Sequence, residues 1–452
     1  MKSLCIFVVM LCLLASQTMA ADRKPNIILI LADDLGLPGL GCTGGIYKTP
    51  NIDALAAGGI RFENCFASPL CGPSRAMLLT GRYAFRTGMK RNGDGKEVTP
   101  GKDGCVAQLM RQAGYATAVA GKWQHFRYLS NQEESSKWGF DEFLLWGAGE
   151  SEEGEGKGSK AKVDASGEKQ KKLRYWDPVY NLNGKTLEDT KGKYGPDLLN
   201  EYVCDFIRRN QDRPFFIYYP TPLIHSPLRP TPDSPQAGAG KPKGKENSVY
   251  GQNITYLDKL VGQLVAELDR LKLRENTLIV FTGDNGSEPV GTVNGRPIDG
   301  NKGSMQEGGS RVPLIANWPG TAPAGRVLGD LTDFSDFLPT FAALAGAPLP
   351  ADRKIDGHSF APQLRGGKGE PHDWVYVQLD EKRYVRSARW KLTGDGDLFD
   401  MKDAPYSQIP VPIGSNDNEA ATERAKLQAV LDNLSTQGAT DTTKRGGKKA
   451  AK

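Results

Sequence analysis

Two pairs of neighbouring oxygen-bearing residues stand at the ends of apolar runs in the sequence. Asp33 and Asp34 form one pair, and Asp284 and Asn285 form the other. Taken singly, each pair is typical of a turn that ends a strand. Buried carboxylates repel one another unless a cation compensates their charge, and hard oxygen ligands favour Ca²⁺ or Mg²⁺ over zinc. The two pairs together predict one bound Ca²⁺, in preference to Mg²⁺.

A cysteine stands where a helix is predicted to begin. In Cys71-Gly72-Pro73-Ser74-Arg75 the proline suits a first helical turn, and 76–80 can continue the helix. Free backbone amides and the helix dipole attract an anion to this end. Arg75, one turn on, adds a planar guanidinium suited to a tetrahedral oxyanion. A lone cysteine before a helix is usually structural. The prediction that Cys71 takes part in chemistry on an anion therefore depends on the whole Cys-x-Pro-x-Arg pattern.

Polar residues also follow two further apolar runs. Lys122 comes after the run 115–120, and His225 comes after the run 215–219. In open α/β sheets, ligands bind outside the carboxyl ends of the strands. We therefore expect Lys122, His225 and the two oxygen-bearing pairs to lie along one edge of a sheet.

The elements that must position these residues alternate along the chain. The apolar runs 26–32, 115–120, 215–219 and 277–281 are typical of strands buried on both faces. Residues 255–271 carry leucines and valines on one helical stripe. This alternation predicts an α/β fold with a large, mainly parallel sheet between layers of helices.

The chain divides into four predicted regions. They are a signal peptide (1–20), a catalytic domain (21–368) with a flexible Gly/Glu/Lys-rich insertion (147–172), a C-terminal α+β subdomain (369–435) and a basic disordered tail (436–452). Short antiparallel strands are expected over 374–379 and 384–392. A second Gly/Lys-rich loop covers 237–245.

Composition excludes several classes of function. Of 452 residues, 38% are hydrophobic and 25% charged, the net charge is +5, and no basic stripe with interleaved aromatics is present, which argues against nucleic-acid binding. The apolar run 4–15 is too short to span a bilayer and precedes a small residue, Ala20. We predict export to the periplasm or the medium, with no stable membrane partner.

The cysteines do not show whether the protein contains disulfide bonds. Cys5 and Cys12 would leave with the signal peptide, and Cys71 is assigned to chemistry. Four cysteines remain and allow three disulfide pairings, or none: Cys42, Cys65, Cys105 and Cys204.

The motifs, taken together, resemble those of the type I sulfatases. Cys71-Gly72-Pro73-Ser74-Arg75 with Leu79-Thr80-Gly81-Arg82 resembles the signature whose cysteine is oxidised to formylglycine, and the run ending in Asp33-Asp34 is similar to the opening strand and metal pair. The further matches, in family order, are Gly121-Lys122-Trp123, His225-Ser226-Pro227, Thr282-Gly283-Asp284-Asn285-Gly286, Lys302, Glu307-Gly308-Gly309, Arg311-Val312-Pro313, Trp390-Lys391-Leu392 and Leu398-Phe399-Asp400. They run from about residue 25 to 403.

The resemblance implies an alkaline-phosphatase-like fold and the hydrolysis of sulfate esters, those of sulfated carbohydrates or small molecules. It implies Ca²⁺ and a formylglycine at position 71, formed by a maturation enzyme. The hydrated aldehyde is a geminal diol, of which one oxygen attacks sulfur and the other expels sulfate. The metal ligands carried over are Asp33, Asp34, Cys71, Asp284 and Asn285. The catalytic residues carried over are Cys71, Arg75, Lys122, Gln124, His225 and Lys302.

One position departs from the family pattern. A histidine usually stands two residues after the lysine of the Gly-Lys-Trp element, where it helps the diol hydroxyl lose its proton. Here that place holds Gln124, and His125 follows. Glutamine cannot act as a base, although its amide can hydrogen-bond the diol. Because neighbouring side chains of an extended segment point opposite ways, we expect Gln124 in the pocket and His125 at its periphery.

Two alternatives remain open. The same superfamily contains phosphate and phosphonate ester hydrolases, and the chain could instead be an inactive protein that binds sulfated glycans. Comparing the hydrolysis of sulfate and phosphate esters distinguishes a sulfatase from the first alternative. Mass spectrometry of the Cys71 peptide distinguishes it from the second.

Overall fold

The computed structural model describes residues 24–123, 129, 131–146, 174–235 and 248–446. The predicted signal peptide, the insertion 147–172, the loop 237–245, and Gln124 with His125 lie outside the described residues.

A ten-stranded mixed sheet forms the centre of the molecule. Its strand order is β12-β2-β11-β8-β1-β7-β3-β4-β5-β6. The strands of the described chain are β1 Asn26–Ala32, β2 Ile60–Phe66, β3 Ala116–Lys122, β4 Glu142–Trp146, β5 Tyr180–Leu182, β6 Lys185–Thr186, β7 Phe215–Thr221, β8 Thr277–Gly283, β9 Thr292–Val293, β10 Arg296–Pro297, β11 Arg311–Asn317, β12 Arg326–Asp333, β13 Val375–Leu379, β14 Lys382–Arg386, β15 Trp390–Thr393, β16 Leu398–Asp400 and β17 Ile409–Val411.

The four predicted apolar runs become the parallel strands β1, β3, β7 and β8. These strands are buried on both faces, which explains why each reads as a continuous apolar run. Antiparallel strands flank them, because β11 lies between β8 and β2, while β5 and β6 extend the opposite edge. The predicted mainly parallel α/β sheet is confirmed.

Helices cover both faces of this sheet. They are α1 Pro50–Ala57, α2 Cys71–Thr80, α3 Ala84–Thr87, α4 Val106–Gln112, α5 Gln132–Trp138, α6 Gly195–Arg209, α7 Val249–Arg270, α8 Glu307–Ser310, α9 Phe337–Ala345, α10 Ala361–Leu364 and α11 Asn418–Gly446. Alternate residues of β1 enter the two cores: Leu29 and Leu31 pack with α2, α4 and α9, whereas Ile28 and Ile30 pack with α1, α6 and α7.

The best helical pattern of the sequence lies within α7. This helix begins at Val249, six residues before the predicted start, and the Ser248 hydroxyl caps it by accepting from the Gly251 amide. The predicted stripe faces the core through Leu257, Leu260 and Leu264. The start was missed because the first turns carry few apolar residues.

A separate five-stranded antiparallel sheet, β13 to β17 in sequential order, forms a small C-terminal subdomain. The predicted strand 384–392 is wrong, because this stretch is a hairpin of β14 and β15 closed by 387–389. In the turn, the Ser387 amide donates to the Trp390 carbonyl at 2.8 Å. No glycine, proline or asparagine marks this turn in the sequence, which is why the pattern missed it.

The last helix extends into the segment predicted as a basic tail (436–452), of which 447–452 lie outside the described residues. Helix α11 continues to Gly446, ten residues past our predicted boundary at 436. Leu427, Leu431 and Leu434 bury one stripe of it in the core. Once those turns are anchored, each further residue needs only its own backbone hydrogen bond, so the polar composition of the next turns does not stop the helix.

None of the described helices has the length and hydrophobicity that a membrane crossing requires. The five cysteines of the described chain, Cys42, Cys65, Cys71, Cys105 and Cys204, are all free.

Candidate active site

The two oxygen-bearing pairs meet because their strands are neighbours. In the parallel pair β1–β8, Ala32 lies opposite Gly283, so the residues that follow each strand leave the sheet side by side. The Asp34 amide donates to Asp284 Oδ1 at 3.0 Å. Asp34 adopts a left-handed backbone with φ of 62°.

Four potential ligand groups converge beside these strand ends. One ligand atom each from Asp33, Asp34, Cys71 and His225 lies within 4.8 Å of the others, and all four residues are buried. Asn285 donates its amide to Asp34 Oδ1 at 2.9 Å, while its own Oδ1 is buried with no hydrogen-bond partner among the described residues. A buried acceptor without a donor fits a hard cation, as do the carboxylates around it.

Three cationic side chains enter the same buried volume. Arg75 donates to Asp284 Oδ2 through Nη2 at 2.7 Å and Nε at 3.0 Å. Lys122 Nζ lies 2.7 Å from Asp33 Oδ2, and Lys302 Nζ lies 2.7 Å from Asp34 Oδ2. Each cation is thus held by a carboxylate, which keeps it charged in a region from which water is largely excluded.

The carboxylates differ in how easily they ionise. Burial and the charge of Asp33 raise the pKa of Asp284 to about 6 and also raise the pKa of Asp34, against the opposing effect of the nearby cations. Burial acts in the same direction on Asp33, but Lys122, His225 and Arg75 together hold the pKa of that carboxyl well below its usual range. A bound divalent cation would relieve the repulsion that raises the first two pKa values.

Cys71 is the first residue of α2 and is 1% exposed. Its Sγ lies 3.5 Å from Asp33 Oδ1, 3.7 Å from Asp34 Oδ1 and 3.6 Å from Lys122 Nζ. Burial and the charge of Asp284 raise the pKa of the Cys71 thiol well above its usual range, although Lys122 opposes them. The unmodified side chain is therefore a neutral thiol, which is a poor nucleophile.

His225 follows β7 and has a defined tautomer. Its Nδ1 lies 2.5 Å from the Ser226 carbonyl, which can only accept, so Nδ1 carries the proton. The other nitrogen, Nε2, lies 3.7 Å from Asp34 Oδ2. Burial lowers the pKa of His225 to about 4, helped by Lys122 and Lys302, although Asp33 opposes the shift. The imidazole is therefore neutral at pH 7, and Nε2 faces the cluster as an acceptor.

Comparison with known protein families shows to which family the chain that carries this cluster belongs. The sulfatase family model matches residues 25–347, which hold all the residues described above. The chain belongs to the sulfatase family. It is a sulfuric ester hydrolase, as the resemblance of its motifs predicted.

Named relatives support this membership across most of the chain. Human arylsulfatase D is 30% identical over 449 aligned positions, covering 83% of this sulfatase and 74% of the relative. Human arylsulfatase A is 34% identical, covering 82% and 74%. The N-acetylgalactosamine-6-sulfatase of Canis lupus familiaris is 33% identical, covering 82% and 72%.

Solved structures share the fold. The crystal structure of Ps i-CgsB, at 27% identity, superposes with a TM-score of 0.74 and covers 92% of this sulfatase and 93% of that chain. The phosphonate monoester hydrolase of Agrobacterium radiobacter has a TM-score of 0.63 at 20% identity, covering 92% and 96%. The second likeness concerns the fold alone.

The structure brings together all the predicted site residues that it describes; the remaining one, Gln124, lies outside the described residues. Two neighbours were missed. The Asn92 side-chain oxygen accepts from the Gly72 amide at 2.9 Å, next to Cys71. Glu288 lies 3.9 Å from Lys302 Nζ and accepts from the Ser226 hydroxyl. Both stand in irregular segments, and Glu288 follows the second metal pair by only three residues, which was the one available signal.

Proposed function

We propose that this sulfatase hydrolyses sulfate esters of carbohydrates after Cys71 has been converted to formylglycine. The observation that carries the proposal is the position of Cys71, at the start of a helix and within 3.7 Å of Asp33, Asp34 and Lys122. A neutral buried thiol has no evident use among three carboxylates. Its oxidation product, by contrast, would place two hydroxyl groups where charged side chains can hold them.

We propose Ca²⁺ as the cation, held by Asp33, Asp34, Asp284, Asn285 and the oxidised residue 71. The unpartnered Asn285 Oδ1 and the raised pKa values of Asp34 and Asp284 support this set. When both groups are present, they supply a metal-activated hydroxyl nucleophile for sulfuryl transfer.

Different residues of the chain would then stabilise charge and transfer protons. Arg75, Lys122 and Lys302 stabilise the negative charge that develops on the transferring sulfuryl group, since all three are held in place by carboxylates. As sulfur accepts the attacking oxygen, its bond to the leaving oxygen breaks and a proton must reach that oxygen. His225 is neutral at pH 7, so its Nε2, oriented by the bond from Nδ1 to Ser226, would first accept the proton that the attacking hydroxyl loses and would then pass it to the leaving oxygen.

Two points support a carbohydrate substrate, namely the carbohydrates named for similar proteins and the predicted export of the chain. The relatives include an N-acetylgalactosamine-6-sulfatase, and Ps i-CgsB has a structure in complex with k-i-k-neocarrahexaose, with a TM-score of 0.74 at 28% identity. The signal peptide predicted over 1–20 would place the sulfatase in the periplasm or the medium, where sulfated polysaccharides occur. A formylglycine-generating enzyme of the host is the implied maturation partner.

Mass spectrometry of the peptide that contains Cys71 tests the modification. We expect loss of sulfur and gain of an aldehyde in protein coproduced with a maturation enzyme, while the Cys105 peptide keeps its thiol as an internal control. An intact Cys71 thiol in active protein from such a host would contradict the proposal.

Rates on 4-nitrophenyl sulfate and 4-nitrophenyl phosphate at equal concentration test the reaction class. We expect the sulfate ester to react faster, and a preference for the phosphate ester would favour the alternative hydrolase. Dialysis against a chelator should abolish turnover, and added Ca²⁺ should restore it better than Mg²⁺. Full activity of metal-free protein would exclude a catalytic role for the cation.

A further inference from the structure

A carboxylate that the proposed reaction does not use lies beside the reacting centre. The Glu288 side chain is 42% exposed, and its Oε1 lies 3.9 Å from Lys302 Nζ. The three carboxylates of the cluster, by contrast, are buried. Because an ester enters from solvent, it meets the Glu288 carboxylate before it reaches the buried charges.

Side-chain contacts connect Glu288 to position 71. The Lys302 ammonium that it faces also lies 2.7 Å from Asp34 Oδ2, and Asp34 Oδ1 lies 3.7 Å from Cys71 Sγ. Lys302 is one of the three cations proposed to stabilise the transferring sulfuryl group. A sulfate group held by Lys302 therefore brings its neighbouring substituents close to Glu288.

A second contact ties Glu288 to the histidine of the site. The Glu288 carboxylate accepts from the Ser226 hydroxyl, and the carbonyl of the same serine accepts from His225 Nδ1. His225 is the residue proposed to pass a proton to the leaving oxygen. Glu288 thus lies on the side of the site where the alcohol part of the ester must be.

The backbone that carries Glu288 is fixed from two sides. The Gly36 amide donates to Ser287 Oγ at 2.9 Å, and the Lys302 amide donates to the Ser287 carbonyl at 3.0 Å. The Glu288 carbonyl accepts from the Asn301 side-chain amide at 2.6 Å. A side chain on a backbone held in this way keeps its position, which a group that discriminates between substituents requires.

These contacts do not neutralise the charge of Glu288. Asp34 binds the Lys302 ammonium at 2.7 Å, more closely than Glu288 does, and Ser226 offers only a neutral hydroxyl. A carboxylate can accept more hydrogen bonds than the one from Ser226. Glu288 therefore presents a charged hydrogen-bond acceptor to whatever stands next to the reacting sulfate.

This acceptor favours one kind of neighbouring substituent over another. A hydroxyl group can donate to the carboxylate, and such a hydrogen bond to a charged group is stronger than one between neutral groups. A second sulfate or a carboxylate at the same place would be repelled. We propose that Glu288 is a specificity-determining residue that selects sulfate esters flanked by a free hydroxyl group and disfavours those flanked by another anion. This inference rests on the proposed sulfatase activity and narrows its substrate class.

The test compares three aryl esters that differ only in the substituent next to the reacting sulfate. They are phenyl sulfate, with hydrogen, catechol monosulfate, with a hydroxyl group, and catechol disulfate, with a second sulfate. Initial rates of sulfate release give kcat/KM for each ester with matured protein. Glu288→Gln keeps the size of the side chain and an acceptor but removes the charge, whereas Glu288→Ala removes both the acceptor and the charge.

Glu275→Gln is the matched control. Glu275 is exposed and lies two residues before β8 begins, at the end of the strand opposite to Glu288. The seven residues of β8 separate it from the site by roughly 20 Å. This variant should keep the wild-type ratios of kcat/KM among the three esters.

In wild type, we expect kcat/KM for catechol monosulfate to exceed that for phenyl sulfate by about tenfold, and that for catechol disulfate by about tenfold or more. Glu288→Gln should raise the ratio of disulfate to monosulfate by about tenfold, because only the repulsion is lost. Glu288→Ala should also lose most of the preference for catechol monosulfate over phenyl sulfate. Ratios within one variant are unaffected by a change in the amount of folded protein.

Several outcomes would overturn the inference. They are a wild type that does not discriminate among the three esters, a Glu288→Gln variant that keeps the wild-type ratios, an equal change in Glu275→Gln, and a change of all three rates by one factor. The last result would show that Glu288 only adjusts the charge of Lys302. Failure of the proposed function is a different result, because matured protein would then hydrolyse neither 4-nitrophenyl sulfate nor any of the three esters.

Discussion

At the residue scale, the site is a set of charges that hold one another in a buried volume. Arg75, Lys122 and Lys302 each contact a carboxylate at 2.7 Å, and those same carboxylates are the proposed metal ligands. Removing one partner of such a pair leaves a buried charge without compensation, which costs more than the pair itself contributes. Cys71 is the exception, since its neutral thiol carries no charge that the others need.

Cys71→Ala should therefore abolish turnover and preserve the fold. Alanine deletes one sulfur atom at a helix start, so we expect the free energy of unfolding to change by no more than about 1–2 kcal/mol. Sulfate release and the urea midpoint measure the two effects. Cys204→Ala, at a buried cysteine of α6, is the control and should keep its activity. Undiminished hydrolysis by Cys71→Ala would exclude a formylglycine mechanism.

The prediction for Gln124 and His125 remains to be tested, since both lie outside the described residues. Gln124→Ala should lower kcat more than His125→Ala, because we place the glutamine in the pocket and the histidine at its periphery. Steady-state rates of the two variants, with Trp123 and Lys122 unchanged, decide between them. A much larger loss in His125→Ala would show that the histidine fills the usual position of the family base.

At the scale of elements, the positions of several site residues depend on where a strand or helix ends. Lys122 is the last residue of β3, Cys71 is the first residue of α2, and the two oxygen-bearing pairs follow β1 and β8 directly. These ends must approach one another closely. The close approach is visible at Gly283, where an added Cβ would lie 1.9 Å from the Leu35 carbonyl oxygen.

Gly283→Ala should consequently damage both stability and activity. The backbone contact cannot yield without moving Asp284, and such overpacking costs about 1–3 kcal/mol. The urea midpoint and kcat/KM on 4-nitrophenyl sulfate should both fall. Gly329→Ala in β12 is the matched control, because an added Cβ there meets nothing within 4 Å. Equal effects of the two substitutions would show that the close approach is unimportant.

At the scale of the whole molecule, buried polar contacts join the C-terminal sheet to the catalytic domain. His372 pairs with Leu331 of β12 in a backbone bridge, and its Nε2 lies 2.6 Å from Asp336 Oδ1. Arg386 of β14 lies 2.8 Å from Glu307. These contacts fix the position of β13 and β14 relative to the catalytic domain.

The His372 contact should make stability depend on pH. Burial alone would lower the pKa of His372, but Asp336 raises it to about 9, above its ordinary value of 6.5. A raised folded-state pKa stabilises the fold fully below pH 6.5 and loses that contribution as pH rises through 9. We expect the free energy of unfolding to fall across this window by roughly 1–3 kcal/mol more in wild type than in His372→Gln. Urea unfolding at pH 6, 7, 8 and 9 measures it, and parallel curves for the two proteins would contradict it.

The sequence by itself determined the central strands and most of the residues that converge beside their ends. Strands β1, β3, β7 and β8 are buried on both faces, so burial selects apolar side chains at successive positions and leaves a readable run. The residues that follow these runs stand at a known edge of the sheet, and Cys71 with Arg75 was found because a helix start needs particular residue types at fixed spacing.

Tertiary structure alone decided the parts that depend on contacts between distant segments. The hairpin of β14 and β15 turns on Ser387 to Arg389, where β16 pairs with β15 and α11 packs against the sheet, and no glycine, proline or asparagine signals the turn. Asn92 reaches the Gly72 amide only after the chain has folded back over 20 residues. Exposed polar side chains and the spaces between domains impose no periodicity on a sequence, and this is why their roles could be assigned only from the folded molecule.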